Sequence, residues 1–320
     1  MPTATASPPG GGVTTLRAMA ADAAGVVIDD RPLEGPDGKS SSGRTIALGE
    51  GREPYSVRRI AGMDDVEFIR TAIEAGFNVC LYGPPGTGKT TLVEAALGEG
   101  RVITQEFSEG TQVEDITGSF FPAPKKGWEW GDGSLTRALR EGKLWFGDDI
   151  TQGDPRVQSR VFPALDSRRQ LTLNECGGEV IGAAEGFGAV IAYNPNLPGT
   201  TFSEALASRC AIHIYVGFDA DTARRLGVPV DAVNAAEKLN GGPEVKDALA
   251  GLAPADAGSA TWAPQLRELL AFKAVSEVFD PLTAARNLLG LCPEGSRGVL
   301  SDALQGYVTG GVELKALRVE

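Results

Sequence analysis

An apolar run, FNVCLY at 77–82, leads directly into GPPGTGKT at 83–90 and then into the helix-like KTTLVEAAL at 89–97. Strand, glycine-rich turn and helix in that order confine the chain to α/β folds in which the turn lies at the C-terminal end of a buried strand. The residue types have physical duties. Glycines let backbone N–H groups turn inward onto phosphate oxygens, and the following helix adds the positive end of its dipole. Gly83, Pro84, Pro85, Gly86, Thr87, Gly88, Lys89, Thr90 and Thr91 are therefore the expected phosphate-binding residues. Lys89 would reach the outer phosphates of a nucleoside triphosphate, and the Thr90 hydroxyl would ligate its Mg²⁺.

The pattern around this loop predicts a three-layer αβα core. Helix-like MDDVEFIRTAIEAG (63–76) precedes it, and further strands are expected at 101–107, 143–147, 187–193 and 211–216. Most are short continuous apolar runs of the kind buried on both faces of a parallel sheet. After Gly217 the strand signals stop, and DADTARRL, DAVNAAEKLN, APQLRELLAFKAV and DPLTAARNLLG read as helices. Three regions follow: an arm over 1–54, an α/β nucleotide-binding core over 55–217 and a helical lid over 218–320. The arm is inferred from its Pro, Gly, Ser and Thr content, which leaves little apolar area to offset ordering entropy. Within it, LRAMAADAAGVVI (16–28) reads as a short docking helix, a strand or a transiently ordered stretch.

Composition narrows the function classes. The formal net charge is −12, a field that repels nucleic acid and anionic lipid, so a protein partner is the better expectation. A run of the roughly 20 apolar residues that a membrane span needs is missing, and the N-terminus does not read as a secretory signal, which points to the cytosol. Four scattered cysteines without a CxxC pair argue against structural zinc, and the one histidine, His213, reads as a half-buried strand residue.

Hydrolysis at such a loop needs an acidic residue on Mg²⁺ and a group that orients water, both usually at the end of a neighbouring strand. LWFGDD at 144–149 supplies them: Asp148 for Mg²⁺ and Asp149 for the nucleophile.

Taken together, GPPGTGKT, GSLTRALREGKLWFGDDI (133–150), DPRVQSRVFPALDSRRQLTL (154–173), IAYNPN (191–196) and FSEALASRC (202–210) resemble the MoxR-type AAA+ ATPases, the branch that includes CbbQ, NorQ and the gas-vesicle GvpN proteins. The resemblance covers about residues 60–217 and implies several roles. Asn194 occupies the sensor 1 position, and Arg209 matches an arginine finger that reaches a neighbouring subunit's nucleotide. Cys210 stands where the family usually has Phe, and Asp149 where many relatives have Glu. Arg267 is the candidate for sensor 2, with Arg297 as a rival. Ile60, Ala61 and Gly62 resemble the segment that closes over adenine, and no Asn-Lys-x-Asp signature of a GTPase is present, so ATP is the expected nucleotide.

The same resemblance implies a homo-oligomeric ring, six-membered in expectation, that remodels or activates a partner such as a protein with a von Willebrand factor A domain. It assigns two inserts, 117–133 and 171–187, to the ring's axial pore. There Phe120, Phe121, Lys125, Lys126, Trp128 and Trp130 would grip a polypeptide, or else form a local core. A slow, nucleotide-gated scaffold is the rival function, and a nucleic-acid translocase a third.

Overall fold

The structure is a computed structural model that describes residues 26–27, 41–49, 51–60, 62–123, 127–195, 202–240, 262–305 and 307–308. In chain order its strands begin with β1 (Val26–Val27), β2 (Ser41–Ile46), β3 (Tyr55–Ile60), β4 (Met63–Asp64), β5 (Val79–Tyr82) and β6 (Val102–Glu106). They continue with β7 (Gly118–Ala123), β8 (Gly127–Asp132), β9 (Leu144–Asp148), β10 (Gln170–Leu173), β11 (Glu179–Gly182), β12 (Gly188–Tyr193) and β13 (Ile212–Tyr215). The described residues divide into two compact units. One carries 26–27, 66–82 and 93–214, and the other 41–65, 83–92 and 215–308.

The first unit is built on a six-stranded sheet with the order β1-β13-β5-β12-β9-β6. The ladders β1–β13, β5–β12, β12–β9 and β9–β6 are parallel, with Tyr82 level with Tyr193, Ile191 with Gly147 and Glu106 with Asp148. The burial explains the sequence. Val79, Cys80 and Leu81, Leu144 to Gly147 and Gly188 to Ala192 are buried on both sides of the pleat, and parallel strands covered by helices require such unbroken apolar runs. Trp145, fully buried, meets the Phe107 ring edge-on at 6.2 Å and anchors the core beneath β9. Parallel strands also put their C-terminal ends on one edge, so β12 and β9 deliver Asn194 and Asp149 from the same edge.

Two hairpins interrupt this unit where the inserts were expected. β7 pairs with β8 just after the helix Val113–Thr117, and β10 pairs with β11 through the turn that contains Cys176, Gly177 and Gly178. Within the stretch 16–28, Val26–Val27 form a strand against Ile212 and His213; residues 16–25 and 28 lie outside the described residues.

The second unit combines the small sheet β2-β3-β4 with the helices Ala220–Arg225, Val230–Leu239, Leu266–Val278, Pro281–Leu291 and Arg297–Leu304. Their apolar faces share one core that includes Val233, Leu269, Phe272, Leu288 and Leu300. The arm expected over 1–54 needs correction at its C-terminal end. Ser41–Ile46 is a strand antiparallel to β3, with Thr45 opposite Ser56 and Ile46 opposite Tyr55, and Leu48 beyond it is buried. A composition average misses this because ladder hydrogen bonds and one or two buried side chains hold an edge strand. The helix expected from residue 63 starts at Asp65, because Met63 and Asp64 pair with Ile60 and Arg59.

Candidate functional site

The loop that follows β5 has the backbone its glycines allow. Gly83 has φ 146°, and a Cβ there would lie 2.3 Å from the Val216 carbonyl oxygen; Gly86 has φ 79°, and its Cβ would lie 2.9 Å from the Arg267 Cβ. Neither position accepts another residue without strain or collision. The helix Lys89–Leu97 starts at the expected residue. Lys89, 6% exposed, donates to the carbonyls of Gly83 and Pro84, both at 2.9 Å, and the Thr87 hydroxyl donates to Pro84 at 3.0 Å. The loop therefore curls around the ammonium. A cradle of this shape, with a buried cation and a helix N-terminus, fits a polyphosphate.

Arg267 stands in the first turn of the helix Leu266–Val278, with its Cβ against Gly86. Arg297, the rival, donates instead to the Cys292 carbonyl at 2.9 Å within the helical core, which leaves Arg267 as the arginine nearer the loop.

Sequence reasoning missed Arg58 on β3. Its Nη2 donates to the Thr87 carbonyl at 3.1 Å and its Nη1 to the Gly217 carbonyl at 3.3 Å, while Nε and Nη2 both reach the Tyr55 hydroxyl at 3.2 Å. Tyr55 donates in turn to Asp65 at 2.5 Å, and the second Asp65 oxygen accepts from the Arg58 backbone. Burial pushes the Tyr55 hydroxyl above its ordinary range, which keeps it a donor. Burial also works against the Arg58 charge, but Tyr55, Asp65 and Asp219 offset that and hold its pKa above the usual value. Its two carbonyl acceptors lie 29 and 159 residues away, so the sequence around Arg58 does not reveal them.

In the sheet unit, β9 ends at Asp148, whose Oδ1 accepts from the Asp149 backbone N–H at 3.0 Å. Asp149 adopts a left-handed backbone, φ 51°, ψ 38°, a conformation that Asp and Asn tolerate better than other side chains. This turns its carboxylate toward two amides. Gln152 donates to Oδ2 at 3.0 Å, and Asn194 donates to Oδ1 at 2.6 Å. Asn194 follows β12 and is 6% exposed, with Tyr193 stacked between Tyr82 at 6.0 Å and Phe202 at 4.1 Å. The structure thus brings Asp148, Asp149 and Asn194 into one cluster.

Arg209 lies apart from that cluster. It follows the helical turn Glu204–Ala207 and lies over the Phe162 ring with 4.6 Å to the centroid, while donating to the Ala205 carbonyl. Asn78 fixes its backbone, donating to the carbonyls of Arg209 at 2.9 Å and Leu165 at 2.6 Å. Cys210 is buried beside Cys80 on β5, both as free thiols; burial and this neighbour push the Cys80 thiol well up. His213 sits half-buried on β13 against the carbonyls of Ala207 and Cys210.

On the first insert, Phe120 faces Trp130 edge-on at 5.2 Å, and Phe120, Phe121 and Trp128 are 47%, 46% and 69% exposed. Lys125 and Lys126, and also Ala61 in the expected adenine segment, lie outside the described residues.

Residues 78–210 match the family model of the AAA domain (dynein-related subfamily). The chain is 34% identical over 135 residues to protein CbbQ of Hydrogenophilus thermoluteolus, covering 41% of this chain and 49% of that protein. Over 137 residues it is 36% identical to protein NorQ of Paracoccus denitrificans, again 41% and 49%. Over 133 residues it is 32% identical to the denitrification regulatory protein NirQ of Pseudomonas aeruginosa, 41% and 50%. The chain spans about half the length of these curated relatives.

Proposed function

We propose that this chain, whose residues 78–210 match the AAA domain and which is similar to CbbQ, NorQ and NirQ, is a MoxR-type AAA+ ATPase that binds MgATP, hydrolyses it and uses the cycle to remodel or activate a partner protein. The carrying observation is the loop Gly83–Gly88 curled around the buried Lys89 ammonium.

In this reading the loop's backbone N–H groups, Lys89, Thr90 and Thr91 hold the phosphates. Thr90 and Asp148 hold Mg²⁺, which when bound neutralises phosphate charge. Asp149 orients the water that attacks the terminal phosphorus, and Asn194 holds the Asp149 carboxylate in place and senses that phosphate. Arg209 acts on the nucleotide of an adjacent protomer in a ring of six, supplying a fixed positive fork where charge develops, an effect worth about 10³–10⁵ in rate in comparable enzymes. Arg267 reports phosphate occupancy to the lid helix.

The client is a protein, a von Willebrand factor A domain or a metalloenzyme being the family's usual choice, in the cytosol. Among the described residues no helix is long and apolar enough to cross a membrane. Phosphate release by wild type above a Lys89→Ala background tests the proposal, and equal rates would remove it. One observation favours slow turnover in a scaffold-like role: both Asp149 carboxylate oxygens already accept amide hydrogen bonds.

A further inference from the structure

Arg58 is the feature of the second unit that the phosphate-binding reading does not absorb. Its guanidinium is a planar fork with five donors, and in this structure the fork spans three chain segments. Nη2 holds the carbonyl of Thr87, two residues before Lys89; Nη1 holds the carbonyl of Gly217, where the chain leaves β13 for the helices; Nε and Nη2 rest on the Tyr55 hydroxyl. Asp65, 1% exposed, holds the other side of the assembly through its bonds to Tyr55 and to the Arg58 backbone. The Arg58 side chain is 17% exposed, so water competes weakly for these donors.

We infer that Arg58 is a positioning residue for the nucleotide site: one guanidinium sets the Thr87 carbonyl, and with it the curl of the phosphate loop, and ties that curl to Gly217, in the stretch between β13 and the helix Ala220–Arg225. The inference rests on the reading of Gly83–Thr90 as the MgATP-binding loop. A polyphosphate seated against the backbone N–H groups requires the peptide units of the loop to point their carbonyls away, and the Thr87 carbonyl is held away by Arg58. A lysine in its place keeps the charge but offers a single ammonium, unable to match three separated acceptors in fork geometry. Gly217 would then lose its link to the loop, so nucleotide binding and lid position would be less strongly linked.

The test uses the full chain and a fluorescent ADP analogue, measuring affinity and the nucleotide-free melting temperature in parallel for four proteins. Arg58→Lys is expected to weaken binding at least about tenfold. Tyr55→Phe removes the shared hydroxyl but leaves the bonds from Arg58 to Thr87 and Gly217, and is expected to weaken binding less than about threefold while melting no higher than Arg58→Lys. Amide exchange at Thr87–Thr90 should quicken in Arg58→Lys and not in Tyr55→Phe. Should Arg58→Lys not fold, the pair Arg58→Gln with Asp65→Asn, which removes the stranded carboxylate charge, carries the same readout. Wild-type affinity in a folded Arg58 variant, or losses of affinity that simply follow melting temperature across both variants, would overturn the inference. Lys89→Ala separates the two levels: if it binds like wild type, the loop reading itself fails, whereas weak binding by Lys89→Ala with normal binding by Arg58→Lys removes only the role of Arg58.

Discussion

The carboxamide of Asn194 donates to Oδ1 of Asp149 at 2.6 Å, joining the residue after β12 to the residue after β9. The two strands are parallel neighbours, so the bond closes across the C-terminal edge of the sheet. Gln152 holds the second oxygen at 3.0 Å, and the left-handed backbone of Asp149 is what presents both oxygens to amide donors.

Replacing Asp149 by Asn leaves only one acceptor for two donors. One contact turns into an N–H facing an N–H unless Gln152 or Asn194 flips, a cost of about 1–2 kcal/mol. Turnover should fall at least about 100-fold while nucleotide affinity stays within about threefold, as read from phosphate release and titration of a fluorescent analogue. Asp149→Glu should melt lower than wild type, because the left-handed region favours the shorter acid.

Asn194→Ala should lower kcat about 10–100-fold with little change in KM, since it frees the carboxylate without touching the loop. Asn194→Asp is expected to be worse at high pH. Two carboxylates this close cannot both ionise freely, so one pKa rises. Below that raised value a shared proton preserves the hydrogen bond, and above it repulsion destroys the arrangement. Activity of this variant should therefore decline as pH rises through neutrality, where wild type does not; a flat profile would contradict the contact.

Arg267→Ala keeps the Cβ that meets Gly86, whereas Gly86→Ala adds one 2.9 Å from it at φ 79°. The first should weaken ATP binding about tenfold with an unchanged melting temperature. The second should lower stability by about 1–3 kcal/mol, seen in denaturant unfolding.

Mixing Asp149→Asn with Arg209→Ala chains tests whether Arg209 acts between protomers. Each variant alone should be nearly inactive, and the mixture should regain a measurable fraction of wild-type turnover. That gain arises only where an intact Asp149 meets an intact Arg209 from a neighbour. No recovery at concentrations that assemble the mixture would place Arg209 in the same chain's site, or outside it. Phe162→Leu, which removes the ring under Arg209, should reduce kcat more than Phe162→Tyr does.

The sequence alone determined the strand, loop and helix around Lys89, because that motif is continuous and each residue acts through its own backbone or its nearest neighbours. It likewise marked β9 and β12 by their apolar runs, since a strand buried on both faces has to be apolar throughout. Tertiary structure decided what distant segments do to one another. The fork of Arg58 on the Thr87 and Gly217 carbonyls, the grip of Asn194 on Asp149 and the bed of Phe162 under Arg209 each join groups that no periodicity links. The strand Ser41–Ile46 was hidden for the same reason: its hydrogen bonds lie in the backbone, which every residue carries alike, and only pairing with Tyr55–Ile60 gives them a partner.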